Sequence, residues 1–354
     1  MSAAKRILRV ISLLVLLAAA VSAFLFYRLG HPPVPATPSR VTIVFEQGTP
    51  TSQIFRKLAR EGVVEDAHLA EIYYRLYRGK TRLQAGEYQF DKPMPIDEAI
   101  NRMGRGEVLT HAVVVPDGLT AEETFQLFWS RGIGGPEGFQ RAVRGTELLP
   151  GLTSGVSDLE GFLFPDTYLV TRSTPARAIV DMMTAQFRKN FTPDMREKAE
   201  RLRLSIAQAV TLASIVEKES GLSREGPTIA SVYLNRLKRG MRLQADPTVI
   251  YALERAGKYD GNLRRVDLSL DSPYNTYRYP GLPPGPIAAP GKASLAAAAH
   301  PADVDFLYFV SRNDGSHEFA RTLDEHNRNV QKYQVQYFRQ LRQGGQGAQG
   351  RQGR

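Results

Sequence analysis

No cysteine occurs in the 354 residues. Disulfide bonds and thiolate-ligated zinc are therefore excluded, and the fold must hold by its core alone. Histidine is scarce, six in all. His300, His317 and His326 lack the tight spacing of a ligand set, so each reads as a helix-end or turn contact; no metal and no cofactor is expected. Acidic residues are outnumbered: 36 Asp plus Glu against 46 Lys plus Arg leave a net charge of +10. That surplus favours anionic neighbours such as a membrane surface, nucleic acid or an acidic polymer. RNP-type motifs, zinc-finger spacing and a recognition-helix signature are absent, which argues against nucleic acid. What remains, 42% hydrophobic and 23% charged, is the composition of a folded globular chain.

Long apolar runs are also lacking, with one exception. Val10 to Phe26, VISLLVLLAAAVSAFLF, carries no charge. With Ile7 and Tyr27 as its ends, a helix here would be about 30 Å long, one hydrocarbon thickness. Lys5, Arg6 and Arg9 place the N-terminus in the cytoplasm and the body outside it. A cleaved signal peptide competes, since small residues lie around Ala18–Ala23. The length of the run and its bulky end, FLFY, favour a single-pass anchor; both readings export the rest. The expected location is a bacterial plasma (inner) membrane with the catalytic part on the periplasmic side.

The organisation expected is a cytoplasmic stub and anchor over 1–30, a stiff Pro-rich linker over 31–40, an α+β region over 41–150, a catalytic domain over 151–342, and a disordered Gln/Gly tail over 343–354. The 41–150 region contains a repeat. Gly48, Phe55, Leu58, Gly62 and Val63 recur as Gly118, Phe125, Phe128, Gly132 and Ile133, at a constant offset. Each copy reads as strand, Gly turn, helix, Gly stop, and T120-A-E-E123 is a capping box. Helices are expected at 66–77, 96–102 and 177–190, a strand around 86–90, and a strand–turn–strand over 306–319 followed by a helix from Thr322 to about Leu341. Residues 273–291 are broken by Pro and Gly at every turn and read as irregular.

The chemistry centres on S214-I-V-E-K-E-S220, at the end of an apolar helix that starts with a capping box, Ser205 with Gln208. Glu217 and Glu219 fall on opposite borders of the apolar face and Lys218 falls in solvent. A border carboxylate at a cleft edge is partly desolvated, so it holds its proton to higher pH, as a general acid must. The bland reading is a solvated Glu flanking the core, and spacing alone does not choose between the two. Downstream, N235-R-L-K-R-G-M-R-L-Q-A-D-P-T-V-I-Y251, P273-Y-N-T-Y277 and G281-L-P-P-G285 supply amides and tyrosines of the kind that hold sugars. Asp246 before Pro247 also reads as an N-cap, and Tyr274 and Tyr277 as loop anchors.

These stretches, with G281-L-P-P-G-P-I-A-A-P-G291, H300-P-A, H326-N, G86-E-Y and G161-F-L-F-P-D-T-Y168, closely resemble the bacterial endolytic murein transglycosylases, the YceG-like or MltG family. The resemblance covers all but the tail. It implies α+β architecture with a LysM-like module, placed around 80–110, and a catalytic domain of lytic-transglycosylase type. It implies cleavage between N-acetylmuramic acid and N-acetylglucosamine within peptidoglycan glycan strands, leaving 1,6-anhydro ends without water. It also resolves the acid to Glu219. Asn235, Gln244, Asp246, Tyr251, Tyr274, Asn275 and Tyr277 are the candidate sugar contacts, and Glu160 a candidate second carboxylate in the cleft. Peptidoglycan synthases or division proteins are the expected neighbours. Two other readings stand beside this one: a muramidase that uses water, with Asp246 or Glu160 as the second carboxylate, and a non-catalytic glycan-binding scaffold.

Overall fold

A computed structural model describes residues 3–31, 39–152, 155–337 and 339. The linker over 32–38 and the tail over 343–354 lie outside the described residues, as does the far end of the last helix. The chain forms two compact units. One comprises the N-terminal part to His111 plus Leu169–Ser173; the other comprises Ala112–Tyr168 and the chain from Thr174 onward. The division falls earlier than the expected 150/151 because residues 112–150 bury their apolar side chains in the second unit. Phe128 meets Phe139 and Tyr168 at 6.0 and 6.4 Å between ring centroids.

The first unit starts with α1, Ala3–Gly30, whose apolar span runs from Ile7 to Arg28 and is exposed from Ile7 to Phe24. Then follow β1 (Ser39–Phe45), α2 (Thr51–Arg60), α3 (Ala67–Tyr73) with a π-helical turn at Tyr74–Arg78, β2 (Gly86–Lys92) and α4 (Ile96–Arg105). β1 and β2 pair antiparallel, from Ser39 opposite Lys92 to Phe45 opposite Gly86. Ile43, Phe45, Tyr88 and Phe90 thereby point into one core with Phe55, Leu58, Ile96 and Met103. β1 and β2 form a two-stranded sheet among the described residues, so the 80–110 segment takes its strand partner from the earlier part of the expected 41–150 region.

The second unit holds β3 (His111–Val114, its first residue belonging to the other unit), α5 (Ala121–Trp129), α6 (Pro136–Val143), β4 (Thr167–Val170, its last two residues belonging to the other unit), α7 (Ala176–Asn190) and α8 (Pro193–Arg201). It continues with α9 (Ile206–Glu219), α10 (Gly226–Lys238), α11 (Asp246–Arg255), α12 (Lys292–Ala299), the antiparallel hairpin of β5 (Tyr308–Ser311) and β6 (His317–Ala320), and α13 (Leu323–Val330). The architecture is α+β, dominated by helices. The repeat is real at the level of local structure. Phe55 and Phe125, Leu58 and Phe128, Val63 and Ile133 are buried pairwise. Gly62 and Gly132 both take φ near +70°, at +76° and +70°, just past their helices. In both copies the next amide returns to a carbonyl in the last turn, Val63 to Leu58 and Ile133 to Phe128.

α9 is the central helix. The expected capping box is formed, Ser205 with Gln208. Residues 209–216 are all buried, because α8, α10, α11 and α12 surround it. Small residues make that crowding workable: Ala209, Ala213 and Ser214 on α9 and an alanine run on α12 let helices approach closely. The irregular stretch 273–291 is pinned to α9 at two points. Ser214 Oγ accepts the Ile287 N–H at 3.0 Å, and Glu217 Oε2 accepts the Gly291 N–H at 3.0 Å.

Candidate active site

α9 ends at Glu219, and the backbone of Ser220 after it turns extended. Gly221 follows, and a Cβ there would sit 2.7 Å from the Gly315 carbonyl oxygen. Only glycine lets the β5–β6 turn come this close to the helix end. The hairpin brings Phe309 beside the last residue of α9, Glu219, and the two line one cavity of about 280 Å³.

The wall opposite comes from α10. Tyr233 and Arg236 are three residues apart and so share a face. The Tyr233 hydroxyl donates to Glu219 Oε1 at 3.0 Å. Burial pushes the Tyr233 pKa well above its ordinary value, and the nearby Glu219 charge pushes it further, so the phenol stays neutral and donating. With Oε1 occupied as an acceptor, Oε2 is the oxygen left to carry a proton. Arg236 is locked by its own bonds, Nε to the Leu307 carbonyl and Nη1 to the Leu243 carbonyl, both at 2.6 Å. Its guanidinium lies over the Tyr308 ring, 5.2 Å from the centroid.

These surroundings set the acid. Burial raises the Glu219 pKa to about 7, opposed by the Tyr233 hydrogen bond; Asp246 adds to the rise and Arg236 counters it. A carboxyl titrating there is half protonated near neutrality, the condition for a general acid. Glu217, two residues earlier, turns away and holds the Gly291 amide. Lys218 is exposed and its Nζ donates to the Gly118 carbonyl at 3.2 Å.

Asp246, Gln244 and Tyr277 line the same cavity. Asp246 is not the N-cap that its place before Pro247 suggested. Ala245 holds that position and Asp246 is already helical, so its carboxylate is spared capping and accepts the Tyr277 hydroxyl instead. Gln244 sits at φ +52° with its N–H on the Thr276 carbonyl, which leaves its side chain exposed.

Other expected residues lie elsewhere. The Asn235 amide nitrogen is taken up by the carbonyls of Val304 and Phe306, at 2.8 and 3.1 Å. Asn275 is fully buried and clamps its loop, donating to Leu268 and Leu270 and accepting from the Tyr277 amide. Both are spent on backbone, because folding an irregular loop requires partners for its carbonyls. Glu160 and Tyr251 line a different cavity, of about 540 Å³. There Glu160, 8% exposed, accepts from the Ala121 amide at 3.0 Å and the Tyr251 hydroxyl at 3.2 Å. Burial raises its pKa to about 7. Tyr274 packs on Tyr251 with centroids 4.9 Å apart, and Arg255 lies 5.7 Å from each ring. Glu160 is therefore not a second carboxylate beside Glu219.

Sequence reasoning missed Tyr233, Arg236 and Phe309, and assigned His326 only a structural contact. His326 lines the Glu219 cavity and stacks on Tyr308 at 5.2 Å. Its Nδ1 is buried without a partner among the described residues. Burial, helped by Arg236, lowers its pKa, so the ring is neutral at pH 7. The three-residue spacing of Tyr233 and Arg236 was an available signal; the hairpin's approach to α9 was not.

The sequence model of the YceG-like family matches residues 43–332. A Bacillus subtilis protein named endolytic murein transglycosylase is 34% identical over 312 residues, covering 83% of this chain and 84% of its own. A Streptococcus pneumoniae protein of the same name is 29% identical, over 83% of this chain and 58% of that longer relative. The crystal structure of a yceG-like protein from Listeria monocytogenes superposes with a TM-score of 0.50 at 31% identity, over 82% of this chain and 99% of that one.

Proposed function

The chain belongs to the YceG-like family, and on that premise we propose that it is an endolytic murein transglycosylase with Glu219 as its single acid–base residue. The observation that carries this reading is Glu219 itself: a carboxyl whose pKa burial raises to about 7, in a cavity where the Tyr233 hydroxyl takes one of its two oxygens. The relatives that bear the same activity in their names support it.

The mechanism of this reading is concrete. Protonated Glu219 gives its Oε2 proton to the glycosidic oxygen as the C1–O bond breaks. The 2-acetamido group of the muramic acid shields the cationic centre. Glu219, now ionised and steadied by Tyr233 and Arg236, takes the proton from the C6 hydroxyl, which attacks C1 and closes the anhydro ring. One group thus acts as acid and then base, and the proton count closes without water. Gln244, Tyr277 and neutral His326 line the cavity and are the polar groups offered to the sugar. Tyr251, Tyr274 and Glu160 would meet a strand elsewhere along its length.

α1 is read as an anchor in the inner membrane, with both units on the periplasmic side, where cuts in new strands would limit their length beside synthases or division proteins. The first unit is read as a LysM-like glycan-binding module; a cavity of about 400 Å³ there, edged by Arg56, Lys57 and Arg60, supports contact with an anionic wall polymer.

One observation favours a second reading. Asp246 shares the cavity and could serve a water-using muramidase as the second carboxylate. Digestion of purified peptidoglycan by the full chain, with products weighed by mass spectrometry, separates the two. Anhydro ends, lighter by one water, support the transglycosylase; reducing ends sink it. Glu219→Gln should yield neither, whereas Glu217→Gln should still cut.

A further inference from the structure

The first unit carries an exposed apolar face that neither catalysis nor its core uses. In α3 and its π-helical turn, Tyr74 points inward. It packs on Phe55 at 5.5 Å, and its hydroxyl donates to the Thr81 carbonyl at 2.7 Å. The π-turn inserts one residue into the helix, and Leu76 and Tyr77 both face outward, 69% and 64% exposed, with Ile72 beside them. Large apolar side chains contiguous on a surface mark a contact with something apolar.

The position of this face says what that is. Phe26, in the last turn of the apolar span Ile7–Arg28, packs against Tyr73 at 5.3 Å and Tyr77 at 5.1 Å. Arg28 then pairs with Glu65 at 2.8 Å, fixing α1 to the start of the α3 segment. A hydrocarbon core of ~30 Å is filled by about 20 helical residues, so a span that starts at Ile7 leaves the core near Phe26. Whatever touches Phe26 sits at the boundary between acyl chains and headgroups. Tyrosine is the residue type favoured at that depth. Lys80 and Arg82 follow immediately, exposed and outside every ion pair among the described residues. Aromatic and aliphatic tips beside free cations complement a surface of anionic phospholipid.

We propose that Ile72, Leu76 and Tyr77, with Lys80 and Arg82, form a docking surface that seats the first unit on the anionic phospholipid bilayer at the exit of its own anchor. The inference rests on the anchor reading of α1, and goes beyond it: the anchor then acts as a fixed post, not a loose tether.

The test uses the full chain reconstituted in liposomes of phosphatidylcholine with or without phosphatidylglycerol. Trp129 is the sole tryptophan, so Trp129→Phe clears the background, and Leu76→Trp or Tyr77→Trp places a reporter on an exposed position in two independent variants. Expected are blue-shifted emission, at least twofold quenching by lipid spin-labelled near the headgroup, weaker quenching by lipid labelled at the chain end, and a gain in quenching with phosphatidylglycerol that Lys80→Glu/Arg82→Glu removes. Protein that floats with the liposomes but shows water-exposed, unquenched emission overturns the docking and leaves the anchor standing. Blue-shifted but unquenched emission means that protein, such as a second copy, covers the face, which also overturns it. Protein that fails to float overturns the anchor and the docking together.

Discussion

If Glu219 is held neutral by burial, it must cost the fold stability whenever it ionises. Its pKa rises from 4.5 unfolded to about 7 folded. The folded state therefore binds the proton more tightly. Its stabilising contribution is complete below about pH 4.5 and is lost as pH rises through about 7. One pKa unit corresponds to about 1.4 kcal/mol, so ionised Glu219 above pH 8 costs on the order of 3 kcal/mol relative to its protonated form. Glu219→Gln keeps the shape and the acceptor for Tyr233 but never ionises. The variant should match the parent below pH 4.5 and exceed it by that amount at pH 8.5, with the difference growing by about 1.4 kcal/mol per pH unit between about 4.5 and 7 and level above that. In melting temperature this is roughly 2–4 °C per kcal/mol for a unit of this size. Thermal unfolding of the full chain in detergent, parent and variant side by side across that range, measures it. A difference that does not change with pH, or a variant less stable at pH 8.5, would refute the claim that burial sets this carboxyl.

Further outcomes follow from the same site. Cleavage by the parent should decline as pH rises through about 7, because only the protonated form of Glu219 is competent; a flat profile to pH 9 contradicts this. Tyr233→Phe removes the bond that holds the Glu219 pKa down, so the alkaline limb of the rate profile should move to higher pH, and an unmoved limb would dissociate the pair. His326→Ala should lower kcat/KM about fivefold if its ring makes one sugar hydrogen bond worth about 1 kcal/mol, read from muropeptide release at limiting substrate. Gly221→Ala pushes the Gly315 carbonyl from the helix end and should impair cleavage while circular dichroism keeps its helical signal; full activity would show that the hairpin need not sit so close.

Much of the fold was legible because local rules governed it. The helix at 206–219 announces itself by its capping box and its apolar face, and the repeat by glycines where a helix must stop. The limits of legibility are equally physical. Glycine and aliphatic spacing show where strands lie but not which partners they take, so the pairing of Phe45 with Gly86 and the placement of 112–150 in the second unit stayed hidden. Asn235 and Asn275 looked like sugar contacts because an amide is suited to either task. Only the fold shows that carbonyls of the irregular loops had claimed them.

Glu217 and Glu219 make the same point more sharply. They are the same residue type, two apart, at one helix end, and nothing local separates them. A helix turns about 200° over two residues, so the pair must face different neighbours. One meets the backbone amide of Gly291, which a packed loop supplies. The other meets Tyr233, Arg236 and a cavity large enough for part of a sugar. The roles are therefore assigned by what tertiary packing brings to each side of α9. Exchanging them would require moving the 281–291 loop and the β5–β6 hairpin, not changing the E-K-E sequence. That yields a last expectation: Glu217→Ala frees the Gly291 amide and loosens the loop, lowering the melting temperature at every pH. Glu219→Ala instead abolishes cleavage and shows a stability effect that varies with pH. Matching pH profiles for the two variants would refute the division of roles.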